Sequence, residues 1–183
     1  SLLEPLGIKQ LVLVPFDPEL AQQTAEDFFE KMILQTLKAK KISVGANFRF
    51  GKNRQGDTQT LKELAAKRGI QVEVVPILED KTGRMSSSRI RSALNEGNLE
   101  AAKQLMGRPY RFKGEVVKGR GLGKKIGWPT ANLQVDGRKF LPSLGVYSSL
   151  AWIDEGKSPL ISVMNLGPQP TIDPTSPSAV EVH

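Results

Sequence analysis

From Gly114 to Gly127 the chain carries five glycines in fourteen residues, interleaved with Arg120, Lys124 and Lys125. A loop built on Gly119, Gly121 and Gly123 lets backbone N–H groups face phosphate oxygens. Neither a Gly-x-x-x-x-Gly-Lys-Ser/Thr run nor a Gly-x-Gly-x-x-Gly run aligns on it, so the two common nucleotide fingerprints are excluded. Pro129 stiffens the backbone leading into the next segment. Thr130 and Asn132, two apart on an extended strand, share a face. Their neutral oxygens suit a hard cation such as Mg²⁺. The plainer alternative is a surface hairpin with incidental charge.

Three further segments hold chemistry-bearing residues. Val44 to Arg54 places Asn47, Phe48 and Phe50 between Gly45 and Gly51, just beyond a strand. Open α/β sheets bind ligands past their strand ends. The two phenylalanines could stack on a planar ring while Asn47 meets its polar edge. They could equally close the core beneath the loop. Ser86, Ser87 and Ser88 open a helix that also carries Arg89 and Arg91. Free N–H groups at a helix start, with Ser86, Ser87 and Arg91, can hold a phosphate. Ordinary N-capping needs only one of those serines. Finally, Glu181 lies between Val180 and Val182. Alternation sets it on the face opposite its neighbours, either as a solvent-facing acid or as a general base.

The elements that position these residues fall into two patterns. Ile8–Phe16, Lys41–Gly45 and Ile70–Ile77 read as strands. Thr24–Lys40, Thr58–Arg68, Ser86–Glu96 and Asn98–Met106 read as helices. Thr24 and either Asp57 or Thr58 supply caps, and Gly69, Gly97 and Gly107 supply stops. Alternating strands and helices imply a parallel sheet with crossover helices. After Gly107 the helical period disappears. Tyr110–Lys118, Gly145–Ile153 and Leu160–Leu166 read as strands, with a turn at 154–156. This half is expected to be a small all-β barrel. The boundary is placed near residues 107–110, giving domains 1–107 and 108–183.

Composition narrows the classes. The 183 residues are 39% hydrophobic and 25% charged, as in ordinary globular chains. No apolar run reaches the roughly 18 residues that cross a bilayer. The absence of cysteine removes disulfides, thiolate metal sites and cysteine nucleophiles, and fits a reducing, cytoplasmic setting. The single histidine, His183, leaves no imidazole base inside the chain. The net charge of +7 resides in residues 107–140, which hold nine Lys/Arg against two acids. A local anionic partner would suit that segment.

Taken together, the segments resemble the bacterial bifunctional riboflavin kinase/FMN adenylyltransferases, also called FAD synthetases. Gly45-Ala-Asn-Phe-Arg-Phe-Gly51 and Ser86-Ser-Ser-Arg-Ile-Arg91 match the adenylyltransferase module. Gly127-Trp-Pro-Thr-Ala-Asn132, Gly145-Val-Tyr147, Asn165-Leu-Gly-Pro-Gln-Pro-Thr171 and Val180-Glu-Val-His183 match the kinase module, in the same order. The resemblance implies that Asn47, Phe48 and Phe50 hold the flavin. It implies that Ser86, Ser87 and Arg91 contact ATP phosphates. It assigns Thr130 and Asn132 to Mg²⁺ and ATP, with Gly119, Gly121 and Gly123 closing over the nucleotide. Glu181 would be the base that activates the ribityl hydroxyl. ATP, riboflavin and FMN are the implied partners, with neither nucleic acid nor membrane.

Two departures accompany the match. The family's His-x-Gly-His signature has no counterpart, and the chain ends two residues after Glu181. The expectation is a central fragment of both modules with little activity by itself. The rival reading is a basic nucleic-acid-binding module, an α/β platform with a β-barrel, whose affinity would fall steeply with salt.

Overall fold

A computed structural model describes residues 2–119, 127–153, 156, 158–167 and 179–183. Gly121 and Gly123, with Arg120, Lys124 and Lys125, lie outside the described residues, as does most of the 154–156 turn. The chain forms two compact units, Ser1–Arg84 and Met85–His183.

In the first unit, strands β1 (Lys41–Gly45) and β2 (Gln71–Val75) pair in parallel, Ile42 opposite Val72 and Val44 opposite Val74. Helix α3 (Thr58–Ala66) makes the crossover between them. Asp57 starts α3 by accepting from the Thr60 N–H at 2.9 Å and the Thr60 hydroxyl at 3.0 Å. Those bonds hold its carboxyl below the ordinary 3.8. Beyond a 3-10 turn at Glu4–Leu6, two α-helices precede β1. The first is α1 (Pro18–Gln22), capped by Asp17. The second is α2 (Ala25–Phe28), capped by Thr24 and continued by a π-helical stretch, Phe29–Thr36. The long helix expected over Thr24–Lys40 thus widens and ends early, at Lys38 with φ 50°. Phe29 and Leu61, each 1% exposed, anchor the core with Ala25, Ile42, Phe50 and Ala65. Burying each of these two large side chains stabilises by about 1.5–3 kcal/mol. A short hairpin, β3 (Glu79–Asp80) with β4 (Gly83–Arg84), closes the unit.

Ile8–Phe16, expected as a strand, is not one. Leu13 and Phe16 are each 83% exposed. Apolar β-branched residues favour a strand only where a neighbouring backbone supplies ladder hydrogen bonds, and the described residues supply none here.

In the second unit, helices α4 (Ser87–Asn95) and α5 (Leu99–Met106) pack through Ala93, Leu94 and Ala102 against Tyr110 and Phe140. The Ser143 N–H donates to the Leu94 carbonyl at 2.9 Å, fastening the helix pair to the β segment. Gly97 and Gly107 take φ 71° and 67°, the left-handed stops expected after each helix. Beyond them runs an antiparallel five-stranded sheet of order β5-β6-β9-β8-β7. Its strands are β5 (Gly114–Val117), β6 (Ala131–Val135), β7 (Gly145–Ala151), β8 (Leu160–Gly167) and β9 (Ala179–Val182). One face is the core, where Met164, Leu166 and Val180 meet Leu133, Val135, Tyr147 and Val182. Among the described residues β5 and β7 are sheet edges that do not pair with one another, so these residues form an antiparallel sheet that they do not by themselves close into the expected barrel.

Candidate functional site

Alternation along β9 decides what its residues do. Val180 is buried and Val182 partly so, both on the core face, which sends Glu181 to the opposite face. Register then fixes its neighbours. Glu181 lies opposite Asn132 on β6 and Asn165 on β8. Three oxygen-bearing side chains therefore stand abreast across three adjacent strands on the face away from the core. Asn132 and Glu181 are half-buried, and Asn165 is exposed. Cross-strand partners of this kind hold their Cβ atoms about 4.5–5.5 Å apart. The neighbouring row toward the strand ends begins at Thr130, just before β6, and His183, just after β9. The His183 Nδ1 lies 2.7 Å from the Pro129 carbonyl, and its ring packs on Trp128 at 4.9 Å. His183 thus ties the Gly127–Thr130 segment to the end of β9.

Gly119 follows β5 by two residues. A Cβ placed on it would stand 2.1 Å from the Asn132 Nδ2. The Asn132 amide therefore lies over a bare stretch of backbone with Glu181 on its other flank. Of the phosphate-loop residues expected from the sequence, Gly119, Thr130 and Asn132 are described; Gly121 and Gly123 are not. Within the basic segment, Arg138 pairs with Asp136 at 2.7 Å, which lowers the Asp136 carboxyl to about 2. Lys139 sits 4.4 Å above the Tyr110 ring. These two cations are engaged in local contacts.

The aromatic loop of the first unit is arranged differently. Phe50 exchanges backbone hydrogen bonds with Gly56 at 3.0 and 2.9 Å, and its ring lies flat against the Gly56 backbone. It is 6% exposed and belongs to the core. Phe48 stacks on it with centroids 5.4 Å apart and remains half-buried. Asn47 is exposed, with its Oδ1 near the Gly45 backbone. Gly51, at φ 73°, passes so close to Ala25 that a Cβ would come within 2.7 Å of the Ala25 nitrogen. The loop is thereby pinned to the start of α2.

Ser86 caps α4 through the Arg89 N–H at 3.4 Å, while Ser87 and Arg91 are exposed one turn apart. Asn47, Phe48 and Phe50 belong to the first unit, and Ser86, Ser87 and Arg91 to the second.

Sequence reasoning gave Asn165 no role of its own and missed the Gly119–Asn132 contact. The alternation Ser162-Val-Met-Asn165-Leu carried a signal for the first, because it sets Asn165 opposite Met164 and Leu166 in facing. The second depends on how two strands pair, which no local pattern contains. No group of three or more His, Cys, Asp or Glu that could hold a metal occurs among the described residues. The available donors are a hydroxyl, two amides and one carboxylate. That hard-oxygen set fits Mg²⁺ carried largely by phosphate oxygens.

Comparison with known proteins bears on both units. Residues 1–89 match the FAD synthetase family and residues 106–183 the riboflavin kinase family. The bifunctional riboflavin kinase/FMN adenylyltransferase of Escherichia coli K12 is 35% identical over 166 residues, 91% of this chain and 52% of that protein. The Haemophilus influenzae enzyme of the same name is 35% identical over 181 residues, 99% of this chain and 58% of that protein. A crystal structure from Streptococcus pneumoniae, described as a macrolide-efflux protein, superposes with TM-score 0.85 at 32% identity. It covers 99% of this chain and 57% of that one. The chain thus spans about half the length of the curated relatives it matches. No helix among the described residues is long and apolar enough to cross a membrane.

Proposed function

We propose, for a chain that belongs to the family of bifunctional riboflavin kinase/FMN adenylyltransferases, that it contributes to both steps of flavin cofactor synthesis. The steps are phosphorylation of riboflavin to FMN by ATP, and transfer of the ATP adenylyl group to FMN to give FAD. Residues 1–107 would serve the second step and residues 108–183, as a small barrel, the first.

The observation that carries the kinase reading is the register that sets Glu181 beside Asn132 on the outer sheet face. Phosphoryl transfer asks a protein mainly to position its reactants and to stabilise charge, with a modest base to take the proton of the attacking hydroxyl. Glu181 takes that proton from the ribityl hydroxyl as the hydroxyl oxygen attacks the terminal phosphorus of ATP, and the bond from that phosphorus to the β,γ-bridging oxygen breaks to release ADP. Thr130 and Asn132 orient the triphosphate and would hold Mg²⁺, which when bound neutralises phosphate charge. Gly119 lets the backbone approach the phosphates closely; Gly121 and Gly123, expected to share that role, lie outside the described residues.

In the adenylyltransferase reading Asn47 and Phe48 meet the flavin. Phe50, fixed in the core, backs Phe48 instead of touching ligand. Ser86, Ser87 and Arg91 take ATP phosphates at the start of α4, where free N–H groups favour an anion.

The test follows phosphate from γ-labelled ATP into riboflavin, and adenylate from α-labelled ATP into FMN, with the intact protein. Thr130→Ala and Asn132→Ala should abolish the first transfer and spare the second. A joint loss of both, or salt-sensitive oligonucleotide binding in place of either, would overturn the assignment.

A further inference from the structure

We propose that Gly119 is a positioning residue: its missing side chain is the slot that seats the Asn132 amide beside Glu181. This deepens the kinase reading and rests on it.

Glycines commonly serve where the backbone must adopt positive φ. That is the case for Gly127 at φ 83°, but Gly119 is not among the positive-φ residues. Alanine would therefore fit the Gly119 backbone without strain. What a Cβ there would meet is the Asn132 side chain, which would have to move. A Cβ at this position would stand 2.1 Å from Nδ2, 2.7 Å from Cγ and 3.1 Å from Oδ1 of Asn132. All three atoms belong to one side chain, and that side chain is the proposed nucleotide ligand. The contrast with Gly114 is instructive. There a Cβ would meet the Gln134 carbonyl oxygen at 2.6 Å, so Gly114 is required by strand spacing alone.

Register explains the contact. Val117 on β5 lies opposite Asn132 on β6. Gly119, two residues on, is the diagonal neighbour on the same face, within reach of a side chain that leans along the strand. On its other flank Asn132 faces Glu181. The amide lies between the bare backbone of Gly119, just past the end of β5, and a strand that carries a carboxylate. Any Cβ at Gly119 must rotate the amide toward Glu181 or out of the sheet face. Either movement displaces Oδ1 from the place where, on the kinase reading, it would meet a phosphate. Gly119 acts through Asn132, and so its effect should vanish once the amide is gone.

A double-mutant cycle on the intact protein tests this. Gly119→Ala, Asn132→Ala and the double variant are compared for Mg·ATP affinity by calorimetry and for Tm, and wild type and Gly119→Ala also for the KM of riboflavin. Gly119→Ala should weaken Mg·ATP about tenfold or more while leaving the riboflavin KM unchanged, and should lower Tm. In the Asn132→Ala background the same substitution should change neither Mg·ATP affinity nor Tm. A Gly119→Ala protein with unaltered affinity overturns the proposal, because the amide then relocates without consequence. Losses that simply add in the double variant also overturn it, because Gly119 then acts through something other than Asn132. A wild type that binds no Mg·ATP overturns the kinase reading and this role with it. The Tm cycle would still report the steric contact separately, so the two failures can be told apart.

Discussion

The aromatic loop at Asn47–Phe50 and the outer face of β6, β9 and β8 both present residues suited to ligands, yet they are held by different means. In the loop, position comes from burial. Phe50 is locked in the core, and Phe48 and Asn47 project from that anchor. On the sheet, position comes from register. Asn132, Glu181 and Asn165 are abreast because two ladders align three strands, while Val180 and Leu166 on the other face fix which way they face. On the proposed reading a half-buried, stacked aromatic such as Phe48 would carry structural and ligand roles at once, whereas a residue on the outer sheet face can be changed with little effect on the core. Mutations should separate function from stability cleanly on the sheet and poorly in the loop.

The largest separation is expected at Glu181. Glu181→Gln keeps shape and removes the proposed base, so riboflavin phosphorylation should fall roughly 10²–10⁴-fold with Tm unchanged. A comparable fall in Tm would make Glu181 structural. Phe50→Ala should behave oppositely, costing about 3–5 kcal/mol in denaturant unfolding through the cavity it leaves. If that variant lost FMN binding without losing stability, Phe50 would be a ligand residue and the contrast would fail. Phe48→Ala lies between the two. FMN affinity, read by flavin fluorescence quenching, should weaken about tenfold, with stability reduced by less than in Phe50→Ala. The smallest effect concerns neither region and calibrates both. Asp57 caps α3 with a folded pKa below 3.8, so its contribution is complete above 3.8 and disappears as pH falls through the lower folded value. The Tm gap between wild type and Asp57→Asn should be present at neutral pH and close in acid. A gap that widened in acid would contradict the cap.

Much of this was legible in residue order. Thr24, Asp57, Ser86 and Asn98 each cap a helix where a side-chain oxygen precedes an apolar period. Capping is local, involving a side chain and an N–H three residues on, so sequence carries it. The facing of Glu181 was also legible, since period two along one strand is local. Ile8–Phe16 shows the opposite case. Its apolar run matched a strand, but a strand exists only with a partner, and pairing is not encoded in the run itself. The aromatic loop was legible as unusual, while its division into a core Phe50 and a half-exposed Phe48 was not. Burial depends on what lies beneath, here Phe28, Gly56 and the Ala25 turn.

The sequence by itself determined the caps, the glycine stops at Gly97 and Gly107 and the alternation of the paired strands, because each depends on neighbours within a few residues. Only the tertiary structure decided that Asn132, Glu181 and Asn165 stand abreast and that Gly119 makes room for Asn132. Those relations join residues far apart in the chain, and their geometry is set by which strand pairs with which and at what offset. One residue of slippage in a ladder would send every side chain of that strand to the other face.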